Sequence, residues 1–221
     1  MRMEPHVPNI PGMPNMDQMP EGVVMIMNNG RGPLPAPDQI SYYVLEKDRK
    51  LYLDTDVGTD ILTIQRMILR WNMEDTGLPV EDREPIHLLI FSYGGDIDYM
   101  WSLIDTIETS VTPVYTVDMG VAASAASLIF LSGKQRLMMP RAKVVIHEGS
   151  AKMAGDSVKV LDASDSYRKV IKMMKDYVLS RTAIPASVLG KQKNHDWELD
   201  AEYCLEHGVC DRVIKSLEEV I

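Results

Sequence analysis

The sequence predicts an α/β domain with a mainly parallel sheet covered by helices. Three observations lead there. From about residue 41, apolar runs of strand length alternate with segments of helical periodicity. Glycine and proline punctuate the exchanges. A hydrophobic content of 45% over 221 residues suffices for one sizeable core plus an extension. Strand–helix–strand repetition brings the ends of successive strands together on one site.

The elements follow in order. Residues 1–40 stand apart: eight of the thirteen prolines precede Asp38, mixed with methionine, asparagine and glycine. Such a segment cannot hold a regular helix and has little to bury. It reads as a partly disordered extension, with the apolar run Val23–Met27 as its one short strand. Residues 41–221 form the main domain. Lys50-Leu-Tyr-Leu-Asp54 reads as a strand. Asp60 stands where an N-cap belongs, ahead of Ile61, Ile64, Met67, Ile68 and Trp71 at helical spacing. Gly77 and Pro79 end that helix. Ile86–Ser92 is a buried strand, Ile97–Thr109 a helix and Pro113–Val117 the next strand. Gly120–Ala123 reads as a small-residue turn into an apolar helix that Gly133 stops. Short strands around Leu137–Met139 and Val144–Ile146 lead to His147. Asp156 or Ser157 caps a long helix to about Arg181. Its stripe of Val160, Ala163, Tyr167, Val170, Met174, Tyr177 and Val178 is an ordinary core face on spacing alone.

Charge and composition exclude several classes. Net charge is −9, and no basic cluster is present to neutralise a run of phosphates, which argues against nucleic-acid binding. No apolar stretch is long enough to span a bilayer, and the N-terminus lacks the layout of a signal peptide. Cys204 and Cys210 are the only cysteines, and their spacing fits no zinc pattern. Two thiols in an otherwise cysteine-free chain suggest a reducing compartment, so a cytoplasmic location is expected. Nothing resembles a phosphate-binding Gly-Lys-Ser loop, so the chain is not expected to hydrolyse ATP. Neither cofactor nor metal is called for.

The most informative run is Gly120-Val-Ala-Ala-Ser-Ala-Ala-Ser-Leu-Ile-Phe130. It places Ser124 where a helix begins, among residues too small to cover its hydroxyl. The N–H groups of a helix start are unpaired. A serine there is able to attack a carbonyl, with the N–H of Ala125 holding the oxyanion. The same run also reads as a small-residue helix packed against another backbone, and alone it does not choose. His147 closes a strand-like run and Asp196 lies in Asn194-His-Asp-Trp, giving the order Ser, His, Asp, each at an element end. The imidazole would take the hydroxyl proton and the carboxylate would fix its tautomer. Tyr93-Gly94-Gly95 ends the Ile86 strand, and paired glycines let a backbone approach a ligand, which makes Gly95 N–H the second oxyanion donor. Ser127, one turn inward, reads as packing. Lys143 is the weaker alternative base, and Asp118 points away from the site if Val117 faces the core.

These residues resemble the ClpP family of serine peptidases. The family's Ser-Pro-Gly-Gly turn, Gly-x-Ala-Ala-Ser nucleophile turn, His-Gln-Pro histidine and Arg-Asp acid correspond to Ser92-Tyr-Gly-Gly95, Gly120-Val-Ala-Ala-Ser124, His147-Glu-Gly149 and His195-Asp196. The 29 residues from Gly95 to Ser124 and the 49 from His147 to Asp196 match the family, while the 23 from Ser124 to His147 are slightly fewer. Ala201-Glu-Tyr-Cys-Leu-Glu-His-Gly-Val-Cys-Asp211 resembles the family's ending. The resemblance runs from about Tyr42 to the C-terminus. Tyr93 stands in place of the turn proline, Glu148-Gly149 in place of Gln-Pro, and His195 in place of an arginine that helps lock two rings. A histidine pairs there only when protonated, which makes the ring contact pH-sensitive.

The resemblance implies the ClpP/crotonase spiral of repeated β-β-α units, with residues 149–181 as a protruding handle that packs against an opposite ring. It implies a serine endopeptidase: Ser124 as nucleophile, His147 as base, Asp196 as orienting acid, Gly95 and Ala125 as oxyanion donors. It implies seven-membered rings stacked as a tetradecamer, polypeptide substrates and an AAA+ unfoldase of ClpX or ClpA type. The first forty residues would then line the axial entrance or form a leader. Two rivals stand beside this reading: a non-catalytic subunit of a mixed ring, and a crotonase-type acyl-CoA enzyme, which shares the fold and the oxyanion N–H pair but needs no Ser–His couple.

Overall fold

The computed structural model describes residues 25–28, 31–35, 37–149, 154–192 and 196–220. The chain divides into two compact units, residues 1–50 and 51–221. In the first, strand β1 (Met25–Asn28) pairs antiparallel with β2 (Arg31–Pro35), and helix α1 spans Pro37–Lys47. The expected short strand is present, shifted toward Asn28, and residues 23–24 lie outside the described residues. The helix is not foreseen by the proline-rich reading. Proline is tolerated at a first helical position, where its missing N–H would be unpaired anyway, and Pro37 occupies that position.

The second unit holds a mixed, mostly parallel sheet. Its strands are β3 (Lys50–Leu53), β4 (Ile86–Ser92), β5 (Val114–Ala123), β6 (Gln135–Met138), β7 (Lys143–Ile146), β8 (Trp197–Asp200) and β9 (Arg212–Val213). The order is β3-β4-β5-β6-β9, with β7 paired to β5 and β8 to β7. The β4–β5, β5–β6, β5–β7 and β6–β9 pairs are parallel, and β7–β8 is antiparallel. Between them lie α2 (Ile61–Glu74), α3 (Ile97–Thr109), α4 (Ala125–Ser132), α5 (Ser157–Arg181), α6 (Ala186–Leu189) and α7 (Ala201–Glu206). This is the α/β class expected, with β4, α3 and α5 at the expected limits.

Period-2 alternation in the strands sorts the core onto two faces. Leu88 and Ile90 of β4 join the large cluster with Ile61, Ile68, Leu103 and Phe130 from the helices. Leu89 of β4 and Val117 of β5 face the other way, into a smaller cluster with Leu137, Ile214 and Val220. Helix α4 is buried on every side, which is why it carries no polar stripe. The spare carbonyls at its end are met by an arginine: Arg181 Nε donates to Leu131 O at 2.8 Å and Nη2 to Gly133 O at 3.0 Å. Arg136 in turn donates to the carbonyls of Arg181 (2.7 Å) and Gly208 (2.8 Å) and pairs with Asp211.

Three local expectations change. Asp60 precedes α2 as expected, but its backbone is already helical and its side chain makes no capping bond. Carboxylates do cap three other helices: Asp96 accepts from Asp98 N (2.8 Å) and Tyr99 N (3.2 Å) at the start of α3, Asp156 from Lys159 N (3.0 Å) ahead of α5, as expected, and Asp200 from Tyr203 N (2.8 Å) ahead of α7. Gly120–Ala123 is not a turn. It extends β5, because Val121, Ala122 and Ala123 pair with Lys143, Val144 and Val145 of β7. The α5 stripe is buried only at Met174 and Val178, whereas Val158 and Leu161 in its first turns are exposed.

Asp118 lies fully buried in β5. One carboxyl oxygen accepts from Gly120 N at 3.0 Å and the other, Oδ2, has no partner among the described residues. Burial pushes its pKa up to about 7, against the smaller lowering effect of the Gly120 bond. Cys204 and Cys210, both buried, are close enough to interact with it electrostatically; burial pushes the Cys210 thiol up to about 11 and that of Cys204 higher still. A carboxyl raised on folding is neutral in the native state while its unfolded form ionises. The native state therefore binds more protons between pH 4 and 7, and stability falls as pH rises through that window, by roughly 4 kcal/mol in all from this one group. Asp118→Asn should remove most of that decline: urea denaturation at pH 5 and pH 8.5 should show the variant gaining about 2–3 kcal/mol on the parent between the two. An equal pH dependence in both proteins would place the carboxyl's titration elsewhere.

Candidate active site

The site is built where β5, β7 and β4 end on one edge. Parallel pairing sets Ala123 opposite Val145, and Ser124 N donates to Val145 O at 2.9 Å, one residue beyond the last strand pair. Ser124 and His147 thus leave adjacent strands at the same edge. Antiparallel pairing sets Ile146 opposite Trp197, so the next residues outward, His147 and Asp196, face each other across β7 and β8. Their side chains meet: His147 Nδ1 lies 3.3 Å from Asp196 Oδ1. The histidine is half-buried and the aspartate exposed. Among the described residues Ser124 Oγ makes no hydrogen bond, and none joins it to His147.

Ser124 turns from extended strand to helix within a single residue, at φ 54°, ψ −124°. A non-glycine residue with positive φ carries strain of about 1–3 kcal/mol, which persists only where surroundings enforce it. Here they do: the strand bond to Val145 holds one side, and Ser127 Oγ, buried one turn on, donates to Ser124 O at 2.6 Å on the other. Ser127 is therefore packing and support, as expected. The turn leaves Ala125 N, at the start of α4, with no acceptor among the described residues.

The glycine turn supplies the opposite wall. Val57 N donates to Gly94 O and Asp96 N to Val57 O, both at 2.8 Å, so Gly95 is gripped like a short parallel strand and its own N–H points to the far side. Neither Gly95 N nor Ala125 N has an acceptor among the described residues. Gly94 has φ 103°, and a Cβ on it would lie 2.6 Å from Ser124 Cβ and 2.7 Å from Ala123 O. Only glycine permits this approach. Ser92 Oγ fixes the turn by donating to Thr55 O (2.6 Å) and accepting from Gly94 N (3.2 Å). Gly95 is exposed and Tyr93 beside it largely so.

The rejected candidates have other work. Lys143 Nζ is paired with Glu198 Oε1 at 2.8 Å, and that hydrogen bond raises its pKa further, which makes it a poor base. Asp118 engages Gly120, not His147. His207 stacks on Tyr203 with ring centroids 3.8 Å apart. His195 lies outside the described residues. Val57 and Val145, which grip the glycine turn and the serine through their backbones, escaped sequence reasoning because a backbone partner carries no side-chain signature. An apolar pocket opens beside His147, bounded by Leu128 of α4 and Met174 and Val178 of α5.

Comparison with known proteins assigns the chain to a family. A Clp protease family model matches residues 39–217. The chain is 29% identical over 135 residues to the ATP-dependent Clp protease proteolytic subunit 2 of Treponema pallidum, covering 60% of this chain and 68% of that protein. It is 30% identical over 144 residues to the subunit of the same name in Borreliella burgdorferi, covering 63% and 73%. Over 181 residues it is 28% identical to the proteolytic subunit 1 of Cutibacterium acnes, covering 80% and 81%. This chain belongs to the Clp protease family.

Proposed function

We propose that the chain is a serine endopeptidase, the proteolytic subunit of an ATP-dependent Clp-type protease, and that it cleaves unfolded polypeptides inside an oligomeric chamber. The observation that carries the reading is the strained Ser124, packed against the Gly94 turn on the strand edge that also carries the His147–Asp196 pair. Ser124 attacks the scissile carbonyl. His147 accepts the hydroxyl proton and then delivers it to the leaving amine. Asp196 holds the ring through Nδ1, leaving Nε2 for the serine. Gly95 and Ala125 N–H groups stabilise the oxyanion, and water hydrolyses the acyl-enzyme. Substrate binding or assembly closes the Ser124–His147 hydrogen bond, as is common for catalytic contacts that are loose in the free enzyme.

The ATP dependence in the relatives' names and the family support an oligomeric assembly that works with an ATPase; its proposed form is stacked seven-membered rings fed by an AAA+ unfoldase of ClpX or ClpA type. The exposed Val158 and Leu161 on the first turns of α5 suit a helix that is covered on assembly. Among the described residues no helix is long and apolar enough to cross a membrane.

A fluorophosphonate should label the chain at Ser124, as intact and peptide-level mass spectrometry would report; absence of labelling would favour a non-catalytic subunit or an acyl-CoA enzyme. Ser124→Ala should lose about five orders of magnitude or more in peptide turnover with assembly retained. Asp196→Asn should lose ~10²–10⁴ in kcat with an unchanged melting temperature, because the ring of His147 would take the wrong tautomer. Gly94→Ala should cost more than about 1 kcal/mol in stability and slow labelling of Ser124, since the new methyl displaces the serine backbone; normal labelling kinetics would show that the glycine turn is not what positions Ser124.

A further inference from the structure

The pocket beside His147 has a polar feature that the triad does not use. Its walls are Leu128, Ile146, Met174 and Val178, all buried. Ile171, Leu189 and the amide of Gln192 also line it, and its charged groups besides His147 are Glu148, the residue after the histidine, and Lys175 of α5. Lys175 Nζ and Glu148 Oε1 are in direct contact, with side-chain exposures of only 31% and 27%. Tyr167 of α5 donates its hydroxyl to Glu148 O at 3.0 Å, which ties the backbone of Glu148 to the same helix. Leu128 lies one turn beyond Ser124 along α4, so the pocket extends from the point of attack.

We propose that the Glu148–Lys175 pair determines specificity at this pocket, by masking two opposite charges that would otherwise each recruit a charged substrate side chain. This rests on the peptidase reading above. The pocket takes the side chain of the residue on the acyl side of the scissile bond. With the pair closed, its wall presents no net charge. An uncharged apolar chain of leucine or methionine length fills the space between Leu128, Met174 and Val178. A lysine or glutamate chain would be desolvated there with the Gln192 amide at hand but no free countercharge, and burial of an uncompensated charge is strongly unfavourable. Removing one member leaves the other unpaired on a partly buried wall. An incoming side chain of opposite sign then takes the place of the missing partner.

Three peptides differing only at the acyl-side residue, leucine, lysine or glutamate, test this with the full-length protein. The parent should favour leucine over both others by about 30-fold or more in kcat/KM. Glu148→Gln should raise the glutamate-to-leucine ratio, and Lys175→Met the lysine-to-leucine ratio, each by at least about tenfold. The double variant should return to leucine preference. Lys175→Gln serves if Lys175→Met does not fold, and fluorophosphonate labelling of Ser124 reports which variants keep an intact site. Labelled variants whose ratios shift by less than about tenfold overturn the masking role and leave the peptidase reading standing. A parent that neither cleaves the three peptides nor labels at Ser124 overturns the peptidase reading and this inference with it.

Discussion

The parallel ladder between β5 and β7 is the constraint on which the site depends. Three residue pairs, from Val121–Lys143 to Ala123–Val145, hold the two strands in register, and the next backbone bond belongs to Ser124 itself. Backbone bonds between strands fix position along the chain to a fraction of a residue, because a one-residue slip would turn every side chain to the other face. The same ladder decides where the strand must stop. Ser124 still donates to Val145, and the next residue is already helical, so one residue makes the whole turn at a positive φ.

The small residues around the serine follow from that turn. Ala122, Ala123, Ala125 and Ala126 are all buried, and the Gly94 backbone presses against the serine from the neighbouring loop. Larger side chains would hold the two backbones apart. Gly95 and Ala125 come from different segments, one gripped by Val57 and the other opening α4, and the two segments meet where Gly94 packs against Ser124 and the Ala125 backbone. Strain at Ser124 and tolerance at Gly94 are two sides of one packing solution.

Away from the edge, β5 carries a second unusual group in Asp118, buried and close enough to Cys204 and Cys210 to interact with them electrostatically. The strand thus joins an open polar end to a closed interior where a carboxyl holds its proton far above the usual range. Lining one wall of the pocket, α5 has two characters. Its C-terminal half packs into the core through Met174 and Val178 and ends with Arg181 capping α4, while its N-terminal half presents apolar residues outward. One half suits the site and the other an assembly.

The sequence by itself determined the α/β class and the limits of β4, α3 and α5, and it nominated Ser124, His147 and Asp196 as candidates. The elements were legible because period-2 and period-3.6 patterns and turn residues are local, and the candidates because serine, histidine and aspartate at element ends stand out by residue type. Tertiary structure decided the rest. Gly120–Ala123 reads as a turn in isolation and becomes strand only because β7, some twenty residues later, supplies its hydrogen-bond partners. Asp60 has the right residue type for a cap, yet the chain entering α2 is already helical there and the capping bond is never formed. The positive φ of Ser124, the far-facing N–H of Gly95 and the contact of Glu148 with Lys175, 27 residues away, depend on segments distant in sequence meeting in space. No local pattern encodes such meetings, because the partners are backbone groups common to every residue or side chains whose spacing the fold alone sets.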